Sequence, residues 1–233
     1  MTESINSSKF NELKKLAFLR VCDRYKGYYN VGDFFDGAYD TNEFVSPYSK
    51  KSSNVNSDVM VVAQDWSSFN KLNTLTINEE LVTNGYSANL PTNVNLSKLL
   101  KHHFNLKFGD IYATNLFVFI KSGGMSAKIP IKDMVYSANK YTLREIEIVS
   151  PKLVICLGAA VFNVLSVILQ GKPARVGESI NAPIVFQNTL IVGAYHTGGL
   201  GTSAAGGFLK VNEHWSKISD IYFGLKNLNK LED

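Results

Sequence analysis

The chain has 233 residues, is 45% hydrophobic and 19% charged, and carries a net charge of +4. That size suits one domain with a sizeable core, and the composition is ordinary for a soluble globular protein, which excludes a fibrous or disordered chain. The mild basicity permits a polyanionic partner without demanding one.

Ser7 or Ser8 is placed to cap a first helix, with Phe10, Leu13, Leu16 and Ala17 at helical spacing. This helix is expected to pack as an N-terminal adornment. Residues 26–57 are rich in Tyr, Gly, Asp, Asn and Ser and read as an irregular loop. Asp58 to Ala63 is the first core strand, leading into Gln64-Asp65-Trp66. Residues 66–94 read as a second long polar connection, and loops of such length in a compact domain often carry function. Asn95 is placed to cap a helix through Leu96, Leu99, Leu100 and His103. Ile111 to Phe119 is a second strand, interrupted by the polar pair Thr114-Asn115. After Lys121-Ser122-Gly123-Gly124-Met125, a helix runs from about Ile131 to Val149 and stops before Pro151.

Leu153 to Leu157 is a third strand. Gly158 opens a helix with Val161, Phe162, Leu165, Ile168 and Leu169 on its apolar side, ending at Gly171 as a C-terminal cap. Ile184-Val185-Phe186 and Leu190 to Ala194 make either a hairpin or a strand preceded by a short extended piece. A final amphipathic helix carries Phe208, Val211, Trp215, Ile218 and Tyr222, with Trp215 read as core. No internal repeat interrupts this order. The expectation is one domain over residues 1–233, with 1–57 as helix and irregular adornment and 58–223 as core.

Short apolar strands alternating with helices predict a three-layer α/β/α sandwich around a central, mostly parallel sheet. In such sheets the carboxyl ends of the strands face the ligand crevice. Asp65, Asn115 and His196 each lie at or just beyond a strand, so they can converge although they are distant in sequence.

The segment His196-Thr197-Gly198-Gly199-Leu200-Gly201 carries the sharpest chemistry. A histidine at a strand end can donate to a developing anion. Glycines let the backbone approach a partner closely, and one exposed leucine can wedge into a base stack. Each piece also has an ordinary reading. An Asp after a strand commonly caps a turn, and an Asn there commonly bonds the backbone. The pair His102-His103 lacks partners at metal spacing and reads as a solvated helix face. Cys22 and Cys156 fit neither a zinc nor an iron–sulfur pattern and are expected to be buried reduced thiols. Met1-Thr2-Glu3-Ser4 lacks the order of a signal peptide, and no apolar run reaches membrane-span length. A cytoplasmic or nucleoid-associated monomer is expected, with no membrane contact, no metal and no cofactor.

These residues resemble the uracil-DNA glycosylase superfamily, from Asp58 to about Trp215. The family's GQDPY motif corresponds to Ala63-Gln64-Asp65-Trp66-Ser67. A strand ending in asparagine is matched by Ala113-Thr114-Asn115-Leu116, and an apolar strand ending in glycine by Leu153 to Ala160. HPSPL is matched by His196 to Leu200, with the histidine-to-leucine spacing kept. The resemblance implies hydrolysis of an N-glycosidic bond in DNA containing uracil or a related lesion. Asp65 would position or activate water and stabilise a cationic sugar, and His196 would stabilise charge on the leaving base. Asn115 would read the base edge with its donor and acceptor, the Gln64 backbone would contact the base, and Trp66 is a further base-binding candidate. Leu200 would fill the vacated stack beside Gly198 and Gly199. Lys121 and Lys128 flank the Gly-Gly loop after Asn115 and are candidates either for phosphate contact or for plain solvent exposure. Phe69 and Tyr86 are candidates for the aromatic that stacks on the base, and each also reads as an ordinary loop anchor.

This chain departs from the motifs at Trp66, Ser67 and Thr197-Gly198-Gly199. The base excised is therefore left open by the resemblance. Two other functions also remain: a catalytically silent member that binds nucleic acid or a nucleotide, and a hydrolase of free nucleosides.

Overall fold

The computed structural model describes residues 2–74 and 76–229. Helix α1 (Thr2–Cys22) is followed by short 3-10 turns between Val31 and Ser49, then strand β1 (Val59–Asp65). Three helices come next: α2 (Phe69–Asn73), α3 (Glu79–Asn84) and α4 (Pro91–Leu99), the last extended by a π turn over Leu100–Phe104. Strand β2 (Tyr112–Phe117) leads to α5 (Ile131–Ser137) and α6 (Leu143–Val149), joined without a break by a π turn. Strand β3 (Leu153–Leu157), helix α7 (Ala159–Gln170), strands β4 (Ile184–Phe186) and β5 (Thr189–Ala194), and helices α8 (Gly199–Ala204) and α9 (Phe208–Asn229) complete the order.

The five strands form one sheet in the order β2-β1-β3-β5-β4. Pairing is parallel from β2 to β5, and only β4 runs antiparallel, as a hairpin with β5. Its two-residue turn is possible because Gln187 takes a left-handed φ of 52°. The central strands are buried on both faces, which is why they read as unbroken apolar runs. One face carries Met60, Val62, Tyr112, Val154 and Cys156 against α1, α5 to α6 and α7. The other carries Val59, Val61, Ala113, Ile155 and Ala194 against α4 and α9. The chain is therefore an α/β protein with three layers. Among the described residues, no helix is long and apolar enough to cross a membrane.

Several local expectations are corrected. Helix α1 begins before Ser7 and Ser8, because its apolar stripe marks where the packed face starts and not where the helix starts. It is no adornment: Leu13 and Leu16 belong to the main core, and the buried Arg20 is held by Asp40, Val45 and Thr41. Residues 26–57 are irregular but supply buried Val31, Phe34, Tyr39, Phe44, Val45 and Tyr48. Asn95 lies inside α4, which starts at Pro91, where the preset proline φ suits the first helical position. Residues 66–94 hold helices rather than one polar connection. Cys22 is exposed, whereas Cys156 is buried in the sheet and its thiol is pushed up by burial. Phe208, at the start of α9, is exposed.

One buried acid has a pH consequence. Glu145 on α6 is fully buried and accepts from Tyr112 Oη at 2.8 Å and Thr114 Oγ1 at 3.0 Å. Burial pushes its carboxyl up to about 8, against opposing pulls from these hydrogen bonds and from Arg20. The folded state therefore keeps a proton that an unfolded chain loses near pH 4.3. This contribution to stability is complete below that value and is lost as pH rises through about 8. Unfolding free energy is expected to fall by up to about 1.4 kcal/mol per pH unit over that window. Urea titrations at about pH 5, 6.5 and 8 check this; Glu145→Gln should flatten the dependence, and an unchanged slope in that variant would rule the assignment out.

Candidate active site

Asp65 is the last residue of β1, and Asn115 lies in β2 level with Ala63. His196 follows β5 by two residues. Side chains alternate along a strand, so Asp65 shares a face with Val59, Val61 and Ala63. By the same alternation Asn115 follows Ala113, and His196 follows Val192 and Ala194. All three project on the α4/α9 side, at the carboxyl edge of the sheet. Strand β3 lies between β1 and β5, which sets their ends roughly 10 Å apart. Gly158 follows the last residue of β3 at a φ of 96° that only glycine adopts freely, and a Cβ there would stand 3.5 Å from the His196 Cβ.

Asp65 accepts a hydrogen bond on one oxygen and faces a cation on the other, where Oδ2 receives no aligned hydrogen bond. Gln64 Nε2 donates to Oδ1 at 2.9 Å, and Lys121 Nζ stands 2.8 Å from Oδ2. The pair is nearly dry, with 4% of the Lys121 side chain and 8% of the Asp65 side chain exposed. Lys121 also donates to the Met125 carbonyl at 2.6 Å, a better-aligned bond than its approach to Asp65. The chain reaches this position because residues beyond β2 run on beside β1, pairing Lys121 with Ser68. The expectation of a phosphate-binding Lys121 is therefore corrected: its ammonium is turned inward, toward the buried Asp65 carboxylate and the Met125 carbonyl. Lys128 is exposed.

His196 is fixed in one tautomer. The Gly198 N–H donates to its Nδ1 at 3.0 Å, so in the neutral ring the proton sits on Nε2. Burial lowers its pKa, and the negative charge of Asp65 opposes that shift. At neutral pH the ring is an uncharged Nε2–H donor. Close packing holds it there. A Cβ on Gly201 would stand 2.2 Å from the His196 carbonyl oxygen, and one on Gly198 would stand 2.7 Å from Thr92 Oγ1. Thr197 is clamped by Asn95 Nδ2, which donates to its carbonyl at 2.8 Å, and donates in turn to the Thr92 carbonyl at 2.9 Å.

Asn115 is buried, and Ser46 donates its hydroxyl to Asn115 Oδ1 while accepting from the Tyr48 N–H. That leaves the amide Nδ2 as donor, with one lone pair of Oδ1 spare. Trp66 spends its indole N–H on the Gly85 carbonyl at 2.7 Å and packs against Tyr39, so only its ring is left for a ligand. Phe69 stacks on Tyr29 and Tyr86 on Phe108, as loop anchors. Gly198 is buried, whereas Gly199 opens the short helix α8 and is exposed. Leu200 is 89% exposed.

The structure thus brings Gln64, Asp65, Asn115 and His196 to one sheet edge, adds Lys121 beside Asp65, and leaves Leu200 and Lys128 at the surface. Sequence patterns missed Ser46, Thr92 and Asn95, whose hydrogen bonds span long separations and leave no local period. Among the described residues, no group of three His, Cys, Asp or Glu side chains could hold a metal ion. No protein-family model and no curated protein matches the chain.

Removing Lys121 should strand a buried carboxylate. Lys121→Met is expected to cost roughly 3–5 kcal/mol, because an unpaired buried charge keeps its desolvation penalty. The double variant Lys121→Met/Asp65→Asn should recover a large part of that loss in urea unfolding. Simply additive losses would show that the two side chains are not coupled.

Proposed function

We propose that the chain is a DNA glycosylase that hydrolyses the N-glycosidic bond of uracil or a related damaged base, as in base-excision repair. The observation that supports this best is the juxtaposition, at one sheet edge, of a carboxylate and a neutral histidine whose available donor is Nε2. As the C1′–N bond breaks, its electron pair leaves with the base and positive charge develops on the sugar. Asp65 stabilises that charge and orients the water that adds to C1′. His196 donates from Nε2 to the oxygen on which the leaving base gathers negative charge, a contribution of about 10²- to 10³-fold for one well-placed donor. A neutral donor suits an anionic leaving group here, since it needs no charged imidazolium in a dry site. Asn115 Nδ2 donates to a carbonyl of the base, and its spare Oδ1 lone pair accepts an imide N–H; cytosine presents the opposite pattern. The target nucleotide would leave the stack to reach this edge. A DNA substrate would place the chain in the cytoplasm or on the nucleoid.

One observation favours a second reading. The Lys121 ammonium already balances the charge of Asp65, which suits a catalytically silent binder of nucleic acid. The deciding assay offers single-stranded and duplex DNA carrying uracil, hypoxanthine or a thymine mismatch, with free nucleosides as a further arm, and scores abasic sites or released base. The glycosylase reading expects release from at least one DNA substrate and a loss of about 10²-fold or more in Asp65→Asn, with DNA affinity little changed. DNA binding without release of any base supports the silent binder. Release from nucleosides alone supports a nucleoside hydrolase.

Leu200 gives a separate test. Its exposure leaves it no part in anchoring the loop to the core, so Leu200→Ala should keep the melting temperature of the parent. As a wedge it would hold open the gap left by an extruded base, worth on the order of 2 kcal/mol, or a few tens-fold in rate. That loss is expected on duplex DNA and not on single strands. An equal loss on both substrates would end the wedge role.

A further inference from the structure

A second surface lies beside this edge. The π turn after α4 and the first turn of α9 enclose a groove of about 840 Å³. Lys98, Lys101 and His102 line one wall, and Phe208 and Leu209 line the other. Among the described residues no acidic side chain lines it, and Glu213, one residue beyond Asn212, is already paired with Lys210 at 2.8 Å. Phe208 is 40% exposed and Leu209 69% exposed, at the head of an otherwise amphipathic helix. On its floor His103 Nε2 and Asn212 Oδ1 meet at 2.9 Å and tie the two walls together.

The walls continue the elements that hold the His196 loop. Thr92 and Asn95 in α4 clamp Thr197, and Lys98 and Lys101 follow Asn95 by roughly 5 and 9 Å along α4 and the π turn that continues it. On the other side, α8 carries Leu200 and turns through Gly206 and Gly207 into Phe208. A groove with cations on one wall and an exposed ring on the other matches a single nucleic-acid strand, whose phosphates take the cations and whose bases stack on the ring.

We propose that this groove binds the single-stranded DNA flanking the target nucleotide, with Lys98, Lys101 and His102 on the phosphates and Phe208 stacked on a base. This inference rests on the DNA reading above for the choice of strand. A second class of polyanion, an acidic peptide, would use the cations but gain little from an exposed ring.

The test is anisotropy of a fluorescein-labelled oligothymidylate of about fifteen nucleotides, free of any lesion, between about 50 and 200 mM salt. Lys98→Glu/Lys101→Glu should weaken binding at least about ten-fold and reduce the slope of log K against log salt by roughly 1.4, two phosphate contacts on a single strand. Phe208→Ala should weaken binding about five-fold or more and leave the salt slope unchanged. Lys98→Gln/Lys101→Gln serves in place of the reversal should that variant lose its melting transition. Absence of binding by the unaltered protein, or unchanged affinity and slope in the lysine variants, overturns the proposal. So does equal binding of poly-glutamate with no effect of Phe208→Ala. Because the oligonucleotide carries no lesion, these outcomes are independent of base release. A protein that binds it as expected but excises nothing loses the glycosylase reading and keeps the groove.

Discussion

Parallel pairing of β1 with β2 and β3, and of β3 with β5, governs the arrangement of polar groups in this chain. Parallel strands end at the same edge, and each return needs a crossover that places helices on the sheet faces. The layers and the location of the candidate site thus share one cause. Side-chain alternation then divides the polar residues. On β2, Tyr112 and Thr114 turn to the α6 side and hold Glu145, whereas Asn115 turns to the α4 side beneath Ser46. A slip of one residue in β1 would carry Asp65 through the sheet to the wrong face.

The site edge is polar but poorly solvated, and that combination sets its electrostatics. Charges interact more strongly where water is excluded, and unpaired charges there are costly. Asp65 meets that constraint with Gln64 and Lys121. His196 meets it by losing its charge, since burial outweighs the pull of Asp65. The proposed chemistry uses both outcomes: a carboxylate fixed in orientation, and an uncharged donor with its proton on a known nitrogen. Lys121 is part of this arrangement, so any account of Asp65 in catalysis has to include the ammonium beside it.

The segment after β5 shows how backbone freedom and packing combine. Gly198 and Gly201 are needed because side chains there would meet Thr92 and His196 itself. These contacts press the loop onto α4 and leave Leu200 outside. The same helix then runs on to the cationic wall of the groove, so the loop, the wedge candidate and the proposed strand path are carried by two connected elements.

The layered fold and the three strand-end residues were legible in the sequence, because fully buried parallel strands are continuous apolar runs and chain order fixes which residues follow them. Val59 to Ala63 and Leu153 to Leu157 are such runs, and Gly171 ends α7 in the left-handed conformation its type permits. Helix starts were less legible: the capping preference of Ser7, Ser8 and Asn95 is local, whereas α1 begins ahead of its apolar stripe and α4 begins at its proline. Lys121 read as a surface cation, since lysine is rarely buried without a partner and its partner is remote in sequence. The long-range hydrogen bonds of Ser46, Thr92 and Asn95 left no trace for the same reason. Period and composition determined the sheet, the layers and the edge at which Asp65, Asn115 and His196 meet. Only the tertiary structure decided which groups they pair with, which tautomer His196 holds and which apolar residues stay outside, because hydrogen bonds and ion pairs are chosen by proximity in space, which no local period encodes.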